Sequence, residues 1–274
     1  MQVPGGELTC WRYGAGGGEH VLLLHGGPGM SCDYMEDVAE ELVVEHDVVL
    51  YQQRGVPPSS PEGPFDIRTA VADAVAVLDA LSWERGWVVG HSWGGHLLLH
   101  LMVSAAERVL GGLAVEPLGG VGDGGYGEFE AAMLARTPEA DRARAEELDR
   151  LDMAGEATEE QATEALRLVW SAYFASPDRV APFPVFRLSS VAYAALLEAV
   201  VVALPRLEAA LGQVSAPFGC LSGAASPMPA SSGAATARAI PGGWQEIVDG
   251  AGHIPWFERP GCVAAGLRRL IDPA

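Results

Sequence analysis

The chain has 274 residues, of which 49% are hydrophobic and 19% charged, and its 36 acidic residues outnumber its 17 basic ones to give a formal net charge of −19. This length and composition indicate a soluble globular protein with room for a large core. The acidic balance argues against nucleic acid and anionic membranes as partners, because both attract basic surfaces.

The sequence shows no sign of export or of a membrane span. Its first residues, "MQVPGGELTC", lack the basic start and apolar run of a secretion signal. The longest apolar run, "VAYAALLEAVVVAL", is interrupted by Glu198 and is too short to cross a bilayer. Four widely spaced cysteines fit neither a metal-ligand nor a disulfide pattern. We therefore expect a cytoplasmic protein that does not bind a membrane.

Strand and helix patterns alternate in the first 118 residues. Four short apolar runs are typical of buried strands: "EHVLLLHG", "EHDVVLYQQRG", "GWVVGHS" and "VLGGLAVEPLGG". Between them, "DIRTAVADAVAVLDAL" and "WGGHLLLHLMVSAA" predict helices. This alternation is typical of a mostly parallel sheet with helices on both faces.

The pattern changes after residue 118. Helical segments rich in acidic residues follow one another as far as residue 204, and the alternation then resumes with "PFGCLSG", "SSGAATARAI", "GWQEIVDG" and "CVAAGLRRLI". We predict one α/β core formed by residues 1–118 and 205–274, with a helical cap of residues 119–204 inserted into it.

A candidate nucleophile lies between a predicted strand and a predicted helix. The segment "GHSWGG" contains the pattern Gly-x-Ser-x-Gly at Gly90, Ser92 and Gly94. A strand that turns directly into a helix holds its apex residue in a strained conformation, and the flanking glycines remove side chains that would clash there. We predict that Ser92 is the nucleophile.

The loop "HGGPG" follows an earlier strand and predicts an oxyanion hole. A tetrahedral intermediate needs two N–H donors. We expect them from the backbone of Gly27 and from that of Trp93, the residue after the nucleophile. His25, at the start of the loop, is interpreted as a structural bridge between loops.

A candidate general base, His253, lies in "DGAGHIPWFERPG", just before the last helix. A loop at the carboxyl edge of the sheet brings its side chain to the edge where Ser92 lies. His91, His96 and His100 flank the nucleophile on its own strand and helix, and we interpret them as packing residues.

The segments "HGGPG", "QRG", "GHSWGG" and "GHIPWFERP", in that order, resemble the α/β-hydrolase superfamily and, within it, the proline iminopeptidase-like branch. The resemblance covers nearly the whole chain. It implies an eight-stranded, mostly parallel sheet with an inserted cap, and a serine–histidine–acid mechanism without metal or organic cofactor. Gln52 departs from the family, which commonly has Asp before "QRG", and we interpret this change as structural.

The acid departs from the family pattern, which resembles Gly-x-x-Asp-x-x-Pro in the segment after the cap. Here residues 223–229 read "GAASPMP", and Ser226 stands in place of the aspartate. A serine carries no charge to stabilise an imidazolium. Glu116, at the carboxyl end of the strand after the nucleophile helix, is the favoured candidate, since one group of haloalkane dehalogenases is similar in placing its acid there. Asp123 is the alternative, and loss of the acid is a third reading; Asp249 is interpreted as a loop cap.

The cap supplies the predicted substrate pocket. Aromatic side chains from the cap are expected over the nucleophile, and the candidates are Tyr126, Phe129, Trp170, Tyr173 and Phe174. The segment "LVWSAYFASP" resembles the family's Trp-x-x-Trp-Glu, but Phe174 stands where that Glu, which helps the family's aminopeptidases hold the substrate amine, would be. The acidic cap residues Glu128 and Glu130 are interpreted as a solvated face.

The leading hypothesis is a serine hydrolase that cleaves an ester, lactone, thioester or amide bond of a small to medium apolar substrate through an acyl-enzyme. The alternatives are an aminopeptidase of the proline iminopeptidase type, a non-hydrolytic lyase or cyclase, and a binding protein on the same fold. We expect a small-molecule substrate and no cofactor or metal, and we expect the protein to be a monomer or a homodimer.

Overall fold

The computed structural model describes residues 1–14 and 17–273. Its main sheet has seven strands in the order β3-β5-β4-β6-β7-β8-β9, and a separate hairpin pairs β1 with β2. The strands are β1 Gln2–Val3, β2 Gly6–Glu7, β3 Cys10–Tyr13, β4 Glu19–Leu24, β5 His46–Tyr51, β6 Gly86–His91, β7 Val109–Val115, β8 Phe218–Gly223 and β9 Trp244–Val248.

The predicted architecture is confirmed except for the number of strands. All pairs from β5 to β9 are parallel, and β3 pairs antiparallel with β5. The expected eighth strand is wrong for the described sheet. The first two strands have only two residues each and pair with each other, so they do not extend the sheet.

The helices lie where their apolar periodicity predicts them, and α1 and α9 are additions that the sequence patterns did not indicate. They are α1 Glu36–Leu42, α2 Ile67–Ala80, α3 Trp93–Ser104, α4 Tyr126–Arg136, α5 Glu139–Met153, α6 Glu159–Val169, α7 Ser190–Leu211, α8 Ala230–Ala239, α9 Pro255–Glu258 and α10 Cys262–Ile271.

The register of the central strands brings distant residues to one edge of the sheet. His91, the last residue of β6, is paired with Val115, the last residue of β7, and Val115 is in turn paired with Leu221 of β8. Parallel strands end at the same edge. Ser92, Glu116 and residues 222–223 therefore follow one another across three adjacent strand ends.

Helix α7 is longer than the sequence pattern indicated. It begins at Ser190 and continues through Pro205 to Leu211, so the predicted boundary between residues 204 and 205 falls inside one helix. By length and composition alone it could cross a membrane, which corrects the expectation that this run is too short. Its buried side includes Leu196, Leu204 and Leu207, which belong to the same apolar core as α2 and α3.

The division into core and cap stays a prediction. Four helices, α4 to α7, lie between β7 and β8, as the predicted cap requires. Residues 15, 16 and 274, which the predicted core range includes, lie outside the described residues.

Candidate active site

Ser92 forms the turn between β6 and α3. Its backbone has φ 53° and ψ −117°, a conformation that residues with a side chain rarely adopt. The turn is so tight that a Cβ atom at Gly94 would clash with the carbonyl oxygens of Leu24 and His25. Glycine is thus required beside the serine, and Ser92 itself remains partly exposed in a cavity.

The predicted oxyanion loop lies against this turn. A Cβ atom at Gly26 would lie 2.9 Å from Cβ of Ser92, so the loop approaches Ser92 as closely as glycine permits. Gly27 and Trp93 line the same cavity as Ser92. Within residues 1–14 and 17–273, neither backbone N–H of these two residues donates to a protein acceptor. Both donors are available for a ligand oxygen.

Two side chains beneath the loop hold it in place, and His25 has the bridging position expected of it. Its Nε2 accepts from the Gln53 N–H at 3.0 Å, and its Nδ1 donates to the carbonyl of Gly26 at 2.9 Å. Gln53 also accepts from the indole N–H of Trp93 at 2.8 Å. Complete burial lowers the pKa of His25 to about 4, so it is a neutral structural link rather than a base.

Gln52, the neighbouring departure from the family pattern, forms a second link. Its side-chain amide donates to the carbonyl of Met30 at 3.0 Å and accepts from the N–H of Cys32 at 2.9 Å. These bonds anchor the segment that follows the oxyanion loop.

The structure brings His253 and Glu116 into contact. Nδ1 of His253 lies 3.2 Å from Oε2 of Glu116, and the two residues are 2% and 1% exposed. The carboxylate also accepts the N–H of Gly223 and the hydroxyl of Ser226. Ser226, which the sequence pattern aligned with the aspartate of the resembled family, is therefore a partner of the carboxylate that reaches the histidine.

Asp123, the alternative acid, has another contact set. Its carboxylate accepts from the N–H of Gly125 at 2.9 Å and from that of Gly127 at 3.2 Å, on the exposed surface. These bonds lower its pKa and satisfy N–H groups at the start of α4. The geometry is that of a helix cap.

Burial opposes charge on both members of the histidine–glutamate pair. Loss of solvent lowers the pKa of His253 to about 3. Loss of solvent also raises the pKa of Glu116 to about 8, while the hydrogen bonds from Ser226 and Gly223, and the charge of Arg136, act in the opposite direction. The rings of His91, Phe129 and Tyr173 lie around the imidazole at 4.9–5.5 Å between centroids and contribute to its burial.

A second histidine joins three loops of the site. His91 Nδ1 accepts from the hydroxyl of Tyr34 at 2.7 Å, and His91 Nε2 donates to the backbone carbonyl of His253 at 2.8 Å. The Tyr34 oxygen in turn accepts the N–H of Gly26 at 2.6 Å. His91 is therefore more than the packing residue that the sequence suggested. The sequence patterns gave no indication of this role for Tyr34, because its partner His91 lies 57 positions away in the chain and is adjacent only in the folded protein.

Residues from α4 to α7 and from the core together line a cavity of about 220 Å³ at Ser92 and His253. Of the five predicted pocket residues, the structure places four in its lining, and these are Tyr126, Phe129, Trp170 and Tyr173. Phe174 lies outside the described lining. Its ring packs on Trp170 and Phe257 instead, because the 3-10 turn Trp170–Tyr173 ends just before it and the Phe174 side chain lies in the buried core.

Two carboxylates that the sequence did not single out also line the cavity. Asp149 and Asp152, on α5, face it together with the ring of Tyr193. Oδ1 of Asp152 is buried without a hydrogen-bond partner in the described part of the chain, and burial raises the pKa of this residue. Glu128 and Glu130 are exposed, as expected.

Across residues 1–14 and 17–273, no three His, Cys, Asp or Glu side chains are grouped as a metal-ligand set.

Known proteins share this architecture. The family model described as "alpha/beta hydrolase fold" matches residues 19–148. The chain is 33% identical over 100 residues to a proline iminopeptidase of Heyndrickxia coagulans, which covers 34% of each chain. It is 27% identical over 145 residues to a proline iminopeptidase of Flavobacterium johnsoniae, covering 50% of this chain and 48% of the other. The matched segment is therefore about a third to a half of these relatives' length.

A solved structure extends the likeness to the whole fold. The enol-lactonase from Burkholderia xenovorans LB400 superposes with a TM-score of 0.67 at 20% identity and 98% coverage of both chains. The residues of the predicted cap are included in this match, which at that identity concerns the fold alone.

Proposed function

The chain belongs to the α/β-hydrolase superfamily, and we propose that it is a serine hydrolase that cleaves an ester, lactone, thioester or amide bond through an acyl-enzyme. Its sequence relatives include the proline iminopeptidase-like branch. The observation that carries the proposal is the contact between Nδ1 of His253 and Glu116, beside the cavity that Ser92 and His253 both line.

The proposed first step is attack by Ser92 on a carbonyl carbon. Nε2 of His253 takes the hydroxyl proton as the Oγ–C bond forms, and Glu116 stabilises the resulting imidazolium through Nδ1. The carbonyl oxygen becomes an oxyanion, which accepts from the backbone N–H groups of Gly27 and Trp93. His253 then gives its proton to the leaving group as the scissile bond breaks.

Deacylation repeats these roles with water as the nucleophile. His253 accepts a proton from the water, the oxyanion forms again in the same place, and its collapse releases the acid and regenerates Ser92. Glu116 needs to be ionised in both halves. A protonated Glu116 would donate to Nδ1 and leave Nε2 carrying hydrogen, so that His253 could not accept a proton.

The cavity supports a small to medium apolar acyl group. Aromatic rings of the cap form much of its wall, and its volume of about 220 Å³ fits a compact substrate. Apolar contact would bind such a group without fixing its identity.

A fluorophosphonate probe tests the proposal, because it phosphonylates an activated serine. We expect one equivalent of label on the peptide that contains Ser92, and none in Ser92→Ala. Ser82→Ala is the matched control, since Ser82 has a similar φ of 58° but lies on the exposed surface. A chain that binds ligands without catalysis, or a lyase that does not use this serine, would remain unlabelled.

A second candidate is an aminopeptidase, and Asp149 and Asp152 favour it. The family's amine-holding Glu is replaced by Phe174, but these two carboxylates line the same cavity. A buried carboxylate oxygen without a partner is a suitable acceptor for a substrate ammonium. Comparing proline arylamides with aryl esters of the same size separates the two candidates.

The expected setting of the enzyme also remains a proposal. We propose a cytoplasmic protein that acts on a small molecule, does not bind nucleic acid or membranes, and is a monomer or homodimer. The net charge of −19 supports the exclusion of polyanionic partners.

A further inference from the structure

The loop after β8 carries the hydroxyl that replaces the family's aspartate. Ser226 Oγ accepts from the N–H of Met228 at 3.0 Å and also contacts Oε2 of Glu116. An ionised carboxylate only accepts hydrogen bonds. The single hydroxyl proton of Ser226 is therefore directed at Glu116, and the bond from Met228 fixes that direction.

Glu116 needs such contacts because its backbone is in an unfavourable conformation. Its φ is 50°, in the left-handed region that residues with a Cβ seldom adopt. Its N–H donates to the carbonyl of Leu221 at 2.8 Å, while its two carboxylate oxygens are held by Gly223 and Ser226. The same oxygen that accepts from Ser226 faces His253, so these bonds set where the carboxylate meets the imidazole.

The cap holds the loop from the other side. Arg136, at the end of α4, donates to the carbonyl of Ala225 at 2.6 Å and to that of Ser226 at 3.1 Å. A longer bond of 3.4 Å joins it to Ala172. One guanidinium thus links α4, the 3-10 turn of the cap and the loop that carries Ser226.

The ionisable groups that face Glu116 come from three elements. They are His253 from the loop before α9, Cys220 from β8 and Arg136 from α4. Arg136 is the permanently charged one of the three, and its positive charge favours the ionised carboxylate.

We infer that Ser226 is a positioning residue that holds the displaced acid Glu116 on His253, and that Arg136 of the cap fixes the loop of Ser226 in the position this requires. The inference rests on the proposed function, because it assigns Glu116 as the acid. The serine at the family's aspartate position thereby has a role of its own.

The test is the pH dependence of kcat/KM for an aryl ester in Ser226→Ala. Removing a hydrogen bond to the ionised carboxylate should move the rising limb of the kcat/KM profile to a pH about 1 unit higher. KM should change little, because Ser226 is not part of the described cavity lining. Ser226→Thr retains the hydroxyl at a half-buried position and should restore the wild-type profile.

Ser232→Ala is the matched control. It removes another buried hydroxyl nearby, which donates to the carbonyl of Gly124 at 2.5 Å, and it should leave the profile in place. Arg136→Gln, at an exposed position, provides a second variant should Ser226→Ala fail to fold, and it should shift the profile in the same direction.

The inference is overturned if Ser226→Ala keeps the wild-type profile, or if Ser232→Ala shifts it equally. Failure of the proposed function has a different signature. In that case Ser92 does not react with the fluorophosphonate in the wild-type chain, or Glu116→Gln keeps full activity, and the inference falls with it.

Discussion

The Nδ1 atom of His253 lies 3.2 Å from the carboxylate of Glu116, although the two residues are 137 positions apart in the chain. The contact arises because β7 ends beside β6 on one side and β8 on the other. A carboxylate at the end of β7 can therefore contact the imidazole. In the family that the sequence resembles, an acid after β8 has that position.

Activity should rise with pH. Burial raises the pKa of Glu116 to about 8, and the base form of His253 requires this carboxylate to be ionised. Below the raised pKa the protonated form of Glu116 predominates, and the enzyme is inactive in that form. As the pH rises through this pKa, kcat/KM should increase and reach a plateau above it. Initial rates with an aryl ester from pH 6 to pH 10 check this, and a rate that falls across that range contradicts it.

Tyr34→Phe should weaken both the fold and catalysis. The change leaves Nδ1 of His91 and the N–H of Gly26 buried without their partner, which costs about 2 kcal/mol of unfolding free energy. Because the same link positions the oxyanion loop, we expect kcat to fall by about tenfold. Urea unfolding and steady-state kinetics measure the two effects.

Tyr51→Phe is the control for that variant. The Tyr51 hydroxyl is also buried but has no hydrogen-bond partner in the described residues, so its removal should be neutral or stabilising. Equal losses in the two variants would show that the Tyr34 link does not matter.

The local motifs could be predicted from the sequence, but the residues that hold them in position could not. Ser92 follows from a glycine-flanked serine between strand and helix, and His253 from its place before the last helices, because both signals are local. Glu116 could be proposed from its strand end. The roles of Tyr34 and Arg136 could not be predicted, because each depends on contacts with residues far away in the chain. Phe174 was placed in the pocket wrongly, because composition does not give the direction of a side chain.

The protein should lose stability in acid through its buried histidines. Burial lowers the pKa of His96 to about 4 and that of His100 to about 3. Below about pH 6.5 these two histidines therefore bind protons in the unfolded chain but not in the folded one. The free energy of unfolding is at its full value above that pH and decreases as the pH falls.

His100→Gln isolates this effect. We expect the loss of unfolding free energy between pH 7.5 and pH 5 to be smaller than in the wild type by about 2 kcal/mol, as measured by urea titration at both pH values. Identical losses in the two proteins would contradict the assignment, because His100 would then titrate alike in the folded and unfolded chains.

Asp152→Asn should separate the two candidate activities. If an amine is held at α5, the variant should lose about tenfold in kcat/KM toward a proline arylamide, since a charged hydrogen bond is replaced by a neutral one. Hydrolysis of an aryl ester without an amine should not change. Equal effects on both substrates would remove the aminopeptidase candidate.

The most direct test of Glu116 as the catalytic acid compares Glu116→Gln with Asp123→Asn in ester hydrolysis. The first substitution keeps the shape of the side chain but removes its charge and favours the wrong imidazole tautomer, so kcat should fall by about 10³- to 10⁴-fold. The second weakens a helix cap and should leave kcat nearly unchanged. Full activity in Glu116→Gln, or an equal collapse in Asp123→Asn, would contradict the assignment of Glu116 as the catalytic acid.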